Sequence, residues 1–112
     1  MKGKKLGELE ELVLLTIGAL YDEAYGVAIS KYMAEQAGRQ VGLGAMHATL
    51  VRLEDKGYLE SRFGEATKMR GGKRKRYFRV TAAGQRALKT ARDIRARLWN
   101  AIPKTAFNIS FQ

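Results

Sequence analysis

The sequence is organised around Lys68–Thr81, whose residues are KMRGGKRKRYFRVT. This stretch holds seven lysines and arginines and no acidic residue, with two glycines near its middle. A glycine pair permits a tight turn, and the apolar, aromatic-containing run that follows is typical of a strand that packs on a core. The stretch therefore predicts a β-hairpin with a positive tip that lies on a polyanion.

The positive charge is concentrated in this region. The chain has 112 residues and a formal net charge of +10. From Ala66 to Arg92 there are ten lysines and arginines and no aspartate or glutamate. The positive and negative charges of the remaining segments therefore nearly cancel. So focused a charge favours nucleic acid as the partner, with a membrane surface as the second candidate and a merely soluble basic face as the third.

Length and composition narrow the class of protein. A chain of 112 residues has room for one small domain with one modest core. The absence of cysteine excludes disulfides, thiol catalysis and zinc–thiolate sites. The longest apolar run, Leu12–Leu15, is far too short to span a membrane, and no signal-peptide pattern is present. We therefore expect a cytoplasmic protein without a membrane partner.

Three helices are predicted before the basic stretch. They cover Leu6–Tyr21, Tyr25–Gly38 and Gly44–Gly57, where apolar residues recur at the three-four spacing of a helical face. The second and third end on glycine, a common helix stop. A short polar link, residues 22–24, joins the first two helices.

The pattern then changes to that of a hairpin. Tyr58–Phe63 alternates polar and apolar side chains and is predicted to be a strand with Leu59 and Phe63 facing inward. Lys75–Val80 is the predicted returning strand.

A fourth helix follows the hairpin. Thr81 is a strong helix-start residue, because its hydroxyl accepts a hydrogen bond from a free backbone N–H. The helix is predicted over Ala82–Ile102 and ends before Pro103. In the last residues, Thr105–Gln112, polar side chains alternate with Phe107, Ile109 and Phe111, which resembles a strand or the start of an element that needs a partner.

This order of elements is that of a winged helix-turn-helix. The predicted fold is mainly α with a small β-hairpin. The major groove admits one helix, a second helix braces it, and a basic hairpin reaches the neighbouring backbone. On this interpretation residues 44–57 form the recognition helix and residues 58–80 the wing. Both belong to a DNA-binding domain over residues 1–81, which is followed by a C-terminal helix over 82–102 and a tail over 103–112.

The recognition helix and the wing supply the candidate DNA contacts. Ala45 and Ala48 are small and face outward, which allows a close approach to DNA. Arg52 is placed to contact a phosphate or a guanine edge, and His47 and Thr49 a phosphate or a base. Wing cations would give phosphate affinity without sequence preference, and these are Lys68, Arg70, Lys73, Arg74, Lys75 and Arg76.

Other chemistries find little support. His47 is the only histidine and there is no cysteine, so no metal site is expected. Gly71-Gly72-Lys73 is not followed by serine or threonine, so the nucleotide-binding loop pattern fails, and no cofactor is expected. Glu8, Glu10 and Glu11 are expected to be favourable charges in the first turn of a helix rather than a catalytic set. We expect no enzymatic activity.

Two of the predicted helices carry more apolar surface than the core of one small chain needs. The first helix is apolar over a wide arc, which suits either a central core helix or one that a partner subunit covers on its second side. The fourth helix has one apolar face, with Trp99 beside it.

Four segments resemble the PadR family of bacterial transcriptional regulators. They are LGELE at 6–10, AYGVAI at 24–29, TLVRLEDKGYL at 49–59 and GGKRKRYFRVTAAG at 71–84. The resemblance implies a homodimeric repressor that binds double-stranded DNA at a palindromic operator and is released by a small effector. The family usually has a tyrosine where this chain has His47. Its C-terminal helix packs across the dimer, which implies an interface formed by Leu9, Leu12, Leu88, Ala91, Ile94, Leu98 and Ile102.

Two alternatives stay open. In a two-fold dimer Trp99 either stacks on a flat aromatic effector or simply fills volume in the dimer core. The alternative function is a winged-helix protein-interaction module whose basic wing docks on an acidic protein partner.

Overall fold

Helices and one antiparallel hairpin form the chain over residues 5–64, 74–108 and 111, the part that the computed structural model describes. The predicted mainly α fold with a small hairpin is confirmed. The main elements are α1 (Glu8–Leu20), α2 (Gly26–Ala37), α3 (Leu43–Asp55), β1 (Leu59–Phe63), β2 (Arg76–Val80) and α4 (Ala82–Ala101). None of the helices described is long and apolar enough to cross a membrane.

The helix ends follow local chemistry, and each lies within two residues of its prediction. Gly38 ends α2 in a left-handed conformation with φ of 63°. The Thr81 hydroxyl caps α4 by accepting the N–H of Gly84 at 3.1 Å. Helix α1 starts at Glu8, two residues later than predicted, because the Glu10 carboxylate accepts the Gly7 N–H at 2.7 Å.

The core surrounds α1. This helix contacts α2, α3, α4 and β2. The innermost side chains come from three helices and are fully buried: Val13, Leu14, Ile17, Ile29, Met33 and Leu53. On its other side Leu15 and Ala19 are exposed. Within one chain α1 is therefore a central core helix with a second apolar side left uncovered.

The hairpin is extended at one edge by residues before α2. Strands β1 and β2 pair from Leu59–Val80 to Phe63–Arg76. On the other edge of β2 the Phe78 N–H donates to the Ala24 carbonyl at 2.8 Å, and Tyr25 bridges to Tyr77. Ala24, predicted to be part of a polar link, is fully buried. This edge attaches the wing to the start of α2.

The inward prediction for Phe63 was wrong. Its side chain is 55% exposed, whereas Leu59 is buried as predicted. The alternation of the strand is correct, but the end of β1 runs beyond the helices. The ring of Phe63 is covered by the guanidinium groups of Arg74 and Arg76, at 5.7 and 5.6 Å from its centroid.

In the described part of the tail the strand prediction was also wrong, whereas the alternative of an element that needs a partner is not tested. After Pro103 the chain forms a short 3-10 turn over Lys104–Phe107, closed by the Asn108 side-chain amide donating to the Lys104 carbonyl at 3.3 Å. A strand would need a neighbour for its backbone groups, and the described residues provide none here. Ile109 and Gln112 lie outside the residues described.

Gly84 allows α4 to pack against the hairpin. A Cβ at this position would collide with the Tyr58 carbonyl oxygen and lie 2.9 Å from Val80 Cγ1. The absence of a side chain therefore sets how closely α4 approaches the end of α3 and the start of β1.

We expect Gly84→Ala to lower the free energy of unfolding by about 2 kcal/mol, because the clash outweighs the better helix propensity of alanine. Gly44→Ala is the matched control in the first turn of α3, since no atom lies within 4 Å of its added Cβ. Urea denaturation at one fixed protein concentration measures both variants. Equal stability of Gly84→Ala and the unchanged protein would contradict this packing argument.

Candidate nucleic-acid interface

Helix α3 presents a mostly apolar outer surface. Its inner face, Met46, Leu50 and Leu53, is buried in the core. The exposed side chains of its first two and a half turns are Leu43, Ala45, His47, Ala48 and Val51. Ala45, His47 and Ala48 are therefore accessible, and their contact with DNA stays a prediction.

The assignment of Thr49 to the DNA surface was wrong. Its side chain is fully buried at 0% exposure. The hydroxyl donates to the Ala45 carbonyl at 2.7 Å and accepts from Arg52 Nη2 at 3.2 Å. Thr49 follows Met46 by three residues, so helical geometry brings it to the inner side of α3. Its buried hydroxyl contacts Arg52 and is not accessible to a base.

The Arg52 side chain is accessible to solvent, but its guanidinium contacts other residues of the chain. Its side chain is 54% exposed, and its Nε lies 3.5 Å from the Glu10 carboxylate. Together with the contact to Thr49, this ion pair fixes the guanidinium beside the start of α1. The sequence placed Arg52 on the outer face but did not reveal these internal partners.

Glu10 joins the start of α1 to the end of α3. It is only 5% exposed, and its carboxylate accepts two hydrogen bonds from Lys56 Nζ at 2.7 and 2.8 Å. The same ammonium donates to the Lys5 carbonyl at 2.7 Å. Burial alone would raise the pKa of Glu10, but the Gly7 N–H, Lys56 and Arg52 outweigh it and lower the pKa below its ordinary value.

The three glutamates of α1 attach it to three different elements. As predicted, all three lie in the first turn of the helix. In addition, Glu8 lies 3.2 Å from Arg39 in the α2–α3 turn, and Glu11 accepts a two-point hydrogen bond from Arg95 of α4 at 2.8 and 3.2 Å. Because Glu10 holds α3, the first turn of α1 connects the candidate recognition helix with α4.

The wing is attached to α3 by a hydrogen-bonded cluster. Arg76 donates to Glu54 at 3.0 Å and to the Ser61 hydroxyl at 3.0 Å, and Ser61 donates to Glu54 at 2.7 Å. The Arg76 guanidinium also lies over the rings of Phe63 and Phe78. Arg76 is therefore engaged within the chain, and it positions the wing as well as adding charge.

The other cations of the wing are less constrained where they are described. Arg74 is exposed and donates to the Gly64 carbonyl at 2.9 Å. Lys75 is exposed, with its ammonium 4.1 Å from the centroid of the Tyr25 ring. Lys68, Arg70 and Lys73 lie outside the residues described.

A shallow groove of about 400 Å³ separates the wing from α3 and the start of α2. Val27, Val51 and Phe63 line it with apolar surface, and His47 and Lys75 add polar groups at its margin. The exposed face of α3 and the wing thus flank one groove, whose lining is largely apolar and includes Lys75 and Arg76 beside Glu54. In the part of the chain described, no cluster of three His, Asp or Glu side chains could hold a metal ion.

The outer half of α4 has an uncovered apolar face. Leu9 and Leu12 of α1 and Leu88 and Ala91 of α4 are half-buried. Farther along α4, Ile94 is 46% exposed and Leu98 66% exposed, and Ile102, just after the helix, is 37% exposed. The helix extends from the body of a molecule that measures 65 × 32 × 22 Å. Such a projecting apolar helix fits dimerisation.

Trp99 lies beside this face and is 68% exposed. Its ring centroid is 6.4 Å from that of Phe107, with the planes tilted by 34°. Within one chain the indole therefore fills no core volume.

The family model of the PadR-like transcriptional regulators matches residues 12–90. The chain belongs to this family. The predicted family and its winged-helix fold are thereby confirmed, and the chain is a PadR-like transcriptional regulator.

Solved PadR structures share this fold. A PadR-like transcription factor from Bacteroides fragilis is 24% identical, with a TM-score of 0.71 over 82% of this chain and 84% of that one. A PadR family regulator from Eggerthella lenta is 29% identical, with a TM-score of 0.64 over 83% and 80% of the two chains.

Bacillus subtilis PadR, solved in complex with operator DNA, is 20% identical with a TM-score of 0.61. The alignment covers 88% of this chain and 52% of that one. A search of curated proteins found no match.

Glu10→Gln should lower the free energy of unfolding at neutral pH by about 2 kcal/mol, because Lys56 loses a charged hydrogen-bond partner. The loss is expected in full above pH 4.5, the ordinary pKa of this group, and to shrink as the pH falls through the lowered pKa of the folded state. Urea denaturation between pH 3 and pH 7 at a fixed protein concentration measures it.

Glu8→Gln is the matched control, because the exposed Glu8–Arg39 pair should contribute less than about 1 kcal/mol. A loss of stability with Glu10→Gln that stays constant across this pH range would contradict the assignment of the buried ion pair.

Proposed function

We propose that this PadR-like regulator is a dimeric, sequence-specific DNA-binding repressor that a small effector releases from its operator. The observation that carries the proposal is the surface formed by α3 and the wing. A helix with an open outer face lies beside a strongly basic hairpin, the arrangement that places a helix in the major groove and cations on the phosphates. The B. subtilis PadR structure with operator DNA supports the same use of the fold.

The cations of this surface divide into two groups. Arg52 and Arg76 already face Glu10 and Glu54, so each contributes less net charge to a phosphate. Arg74 and Lys75 have no carboxylate partner within ion-pair distance among the described residues. We assign most of the phosphate affinity to Arg74 and Lys75, together with Lys68, Arg70 and Lys73 of the wing.

The proposed homodimer uses half-buried residues of α1 and of the first half of α4, together with the uncovered apolar face farther along α4. Its interface residues are Leu9, Leu12, Leu88, Ala91, Ile94, Leu98 and Ile102. A two-fold axis through this interface presents two copies of α3 to a palindromic operator, with half-sites separated by about 34 Å or one helical turn of DNA.

The proposed effector is a small, flat aromatic molecule. Trp99 is exposed beside the proposed interface, and an indole face suits stacking on such a ring. Binding there would change the packing of α4 and hence the separation of the two α3 helices. The fluorescence of this single tryptophan reports occupancy directly.

We expect duplex affinity to fall steeply with salt, with a log–log slope of several units if about six or more phosphates are contacted. The double variant Arg74→Ala/Lys75→Ala should lower the slope by about two and weaken selected and random duplexes alike. Fluorescence anisotropy over a series of salt concentrations measures both effects.

Arg92→Ala/Arg97→Ala removes the same charge from exposed positions of α4 and should leave the slope nearly unchanged. A flat salt response would overturn the electrostatic account. Failure to bind any duplex at moderate salt, together with a stable complex with an acidic protein, would favour the protein-interaction alternative.

We expect Leu98→Glu to convert the dimer to a monomer, because the proposed interface would bury an unpaired carboxylate. Ala96→Glu is the matched control, since two residues along a helix turn the side chain to the opposite side. Light scattering after size-exclusion chromatography gives the mass of each variant. A dimeric Leu98→Glu protein, or a monomeric unchanged protein, would contradict the proposed interface.

A further inference from the structure

We infer that α3 recognises its operator mainly by apolar contact with thymine methyl groups, through Ala45, Ala48 and Val51. The inference rests on the proposed function and specifies its substrate, namely duplex DNA whose half-site presents thymines to these three side chains. The wing would then give affinity, and the methyl contacts would give the choice of sequence.

The first argument is the shortage of hydrogen-bonding groups on α3. Within residues 43–51 the exposed side chains are apolar except for His47. Thr49, the other polar side chain of this segment, is fully buried and bonded to the Ala45 carbonyl. A helix enters the groove with its N-terminal part toward the bases, so this segment is the one that meets the base edges.

The remaining polar groups of α3 are poorly suited to base contacts. Arg52 has internal partners in Thr49 and Glu10. Glu54 accepts from Arg76 and Ser61 and is committed to the wing. Asp55 is an exposed carboxylate in the last turn, where a nearby phosphate would repel it. Hydrogen bonds to base edges therefore fall to His47 and to any part of Arg52 that Glu10 leaves free.

The second argument is the match between the exposed side chains and the groove. Thymine presents a C5-methyl group in the major groove, and alanine and other apolar side chains contact it. Ala45, Ala48 and Val51 follow at intervals of three residues, which is about 4.5 Å along the helix axis. That interval is about a third longer than one base step of about 3.4 Å, so successive side chains would still lie over neighbouring base pairs.

The third argument is charge complementarity around the apolar patch. Arg74 and Lys75 are exposed on the wing next to the groove that Val51 lines. An apolar patch alone would suit many partners, but an apolar patch beside cations suits a ligand with methyl groups between rows of phosphates. The major groove of a thymine-containing duplex has that composition.

The test is methyl removal. Half-sites are first selected from random duplexes with the full-length dimer, and each thymine of the selected site is then replaced by deoxyuridine. Uracil keeps every hydrogen-bonding group of thymine and lacks only the methyl. We expect a loss of affinity of about fourfold for each contacted methyl, the size that fits burial of one carbon group. Uracil in the flanking sequence is the matched DNA control and should have no effect.

A second arm adds the methyl back. A contacted T·A pair is replaced by C·G or by 5-methylcytosine·G, which differ only in the methyl group. Methylation of that cytosine should recover about fourfold in affinity. Recovery at the contacted position, with none at a flanking one, assigns the gain to the methyl itself.

Protein variants locate the contact. In Val51→Ala the penalty for uracil at one thymine should fall toward none, while Gln36→Ala, a neutral change at an exposed position of α2 away from the groove, should leave every penalty unchanged. Circular dichroism checks that both variants are folded. A penalty unaltered in Val51→Ala would overturn the role of Val51.

The outcomes separate this inference from the proposed function. If the dimer binds its selected site with steep salt dependence and no thymine-to-uracil change weakens it, the methyl inference is wrong and the proposed function stands. Selected half-sites without any thymine or adenine would overturn it in the same way. If no duplex is bound, both fail together.

Discussion

The buried ion pair of Glu10 and Lys56 is the contact on which the arrangement of the remaining helices depends. A carboxylate at 5% exposure is costly to bury unless it is fully bonded, and here Gly7, Lys56 and Arg52 surround it. Because Glu10 belongs to α1, Arg52 to α3 and Lys56 to the residue that directly follows α3, moving either helix would expose an uncompensated charge. The pair therefore gives the candidate recognition helix one fixed position relative to the core. Glu11, the next residue, then relates α4 to the same point through Arg95.

Much of the fold was predictable because its signals are local. Helical periodicity, the two glycine stops and the Thr81 cap each depend on residues within one or two turns, and all of them were confirmed. The predictions that failed depend on distant neighbours. Phe63 alternates correctly along its strand, but the sequence does not show where the helices stop covering the hairpin. Glu10 bonds Lys56 across 46 positions of sequence, so its burial had no local signature.

The candidate site shows the same division. Ala45, His47 and Ala48 could be placed outside because the spacing of Met46, Leu50 and Leu53 defines the inner face. Thr49 lies close to the boundary between the two faces, and its polarity suggested exposure. A threonine in a helix can, however, satisfy its hydroxyl by donating to the carbonyl four residues earlier, as it does here with Ala45. Polarity alone is thus weak evidence for exposure when the hydroxyl has a backbone partner within reach.

The number of cations on a basic surface also differs from the number of cations that have no carboxylate partner. Arg52 and Arg76 both belong to the basic surface of α3 and the wing, yet each faces a carboxylate of α1 or α3. Arg52 and Arg76 help to position α3 and the wing, but each has less net charge left to attract a phosphate. Arg74 and Lys75 have no carboxylate partner among the described residues, so their full charge can attract a phosphate. A regulator needs both properties, since affinity without a fixed helix would be indifferent to sequence. Carboxylates inside the basic surface therefore convert two of its cations from general attraction to positioning. On the proposed function, the apolar face of α3 would select a sequence only because those cations hold the helix in place.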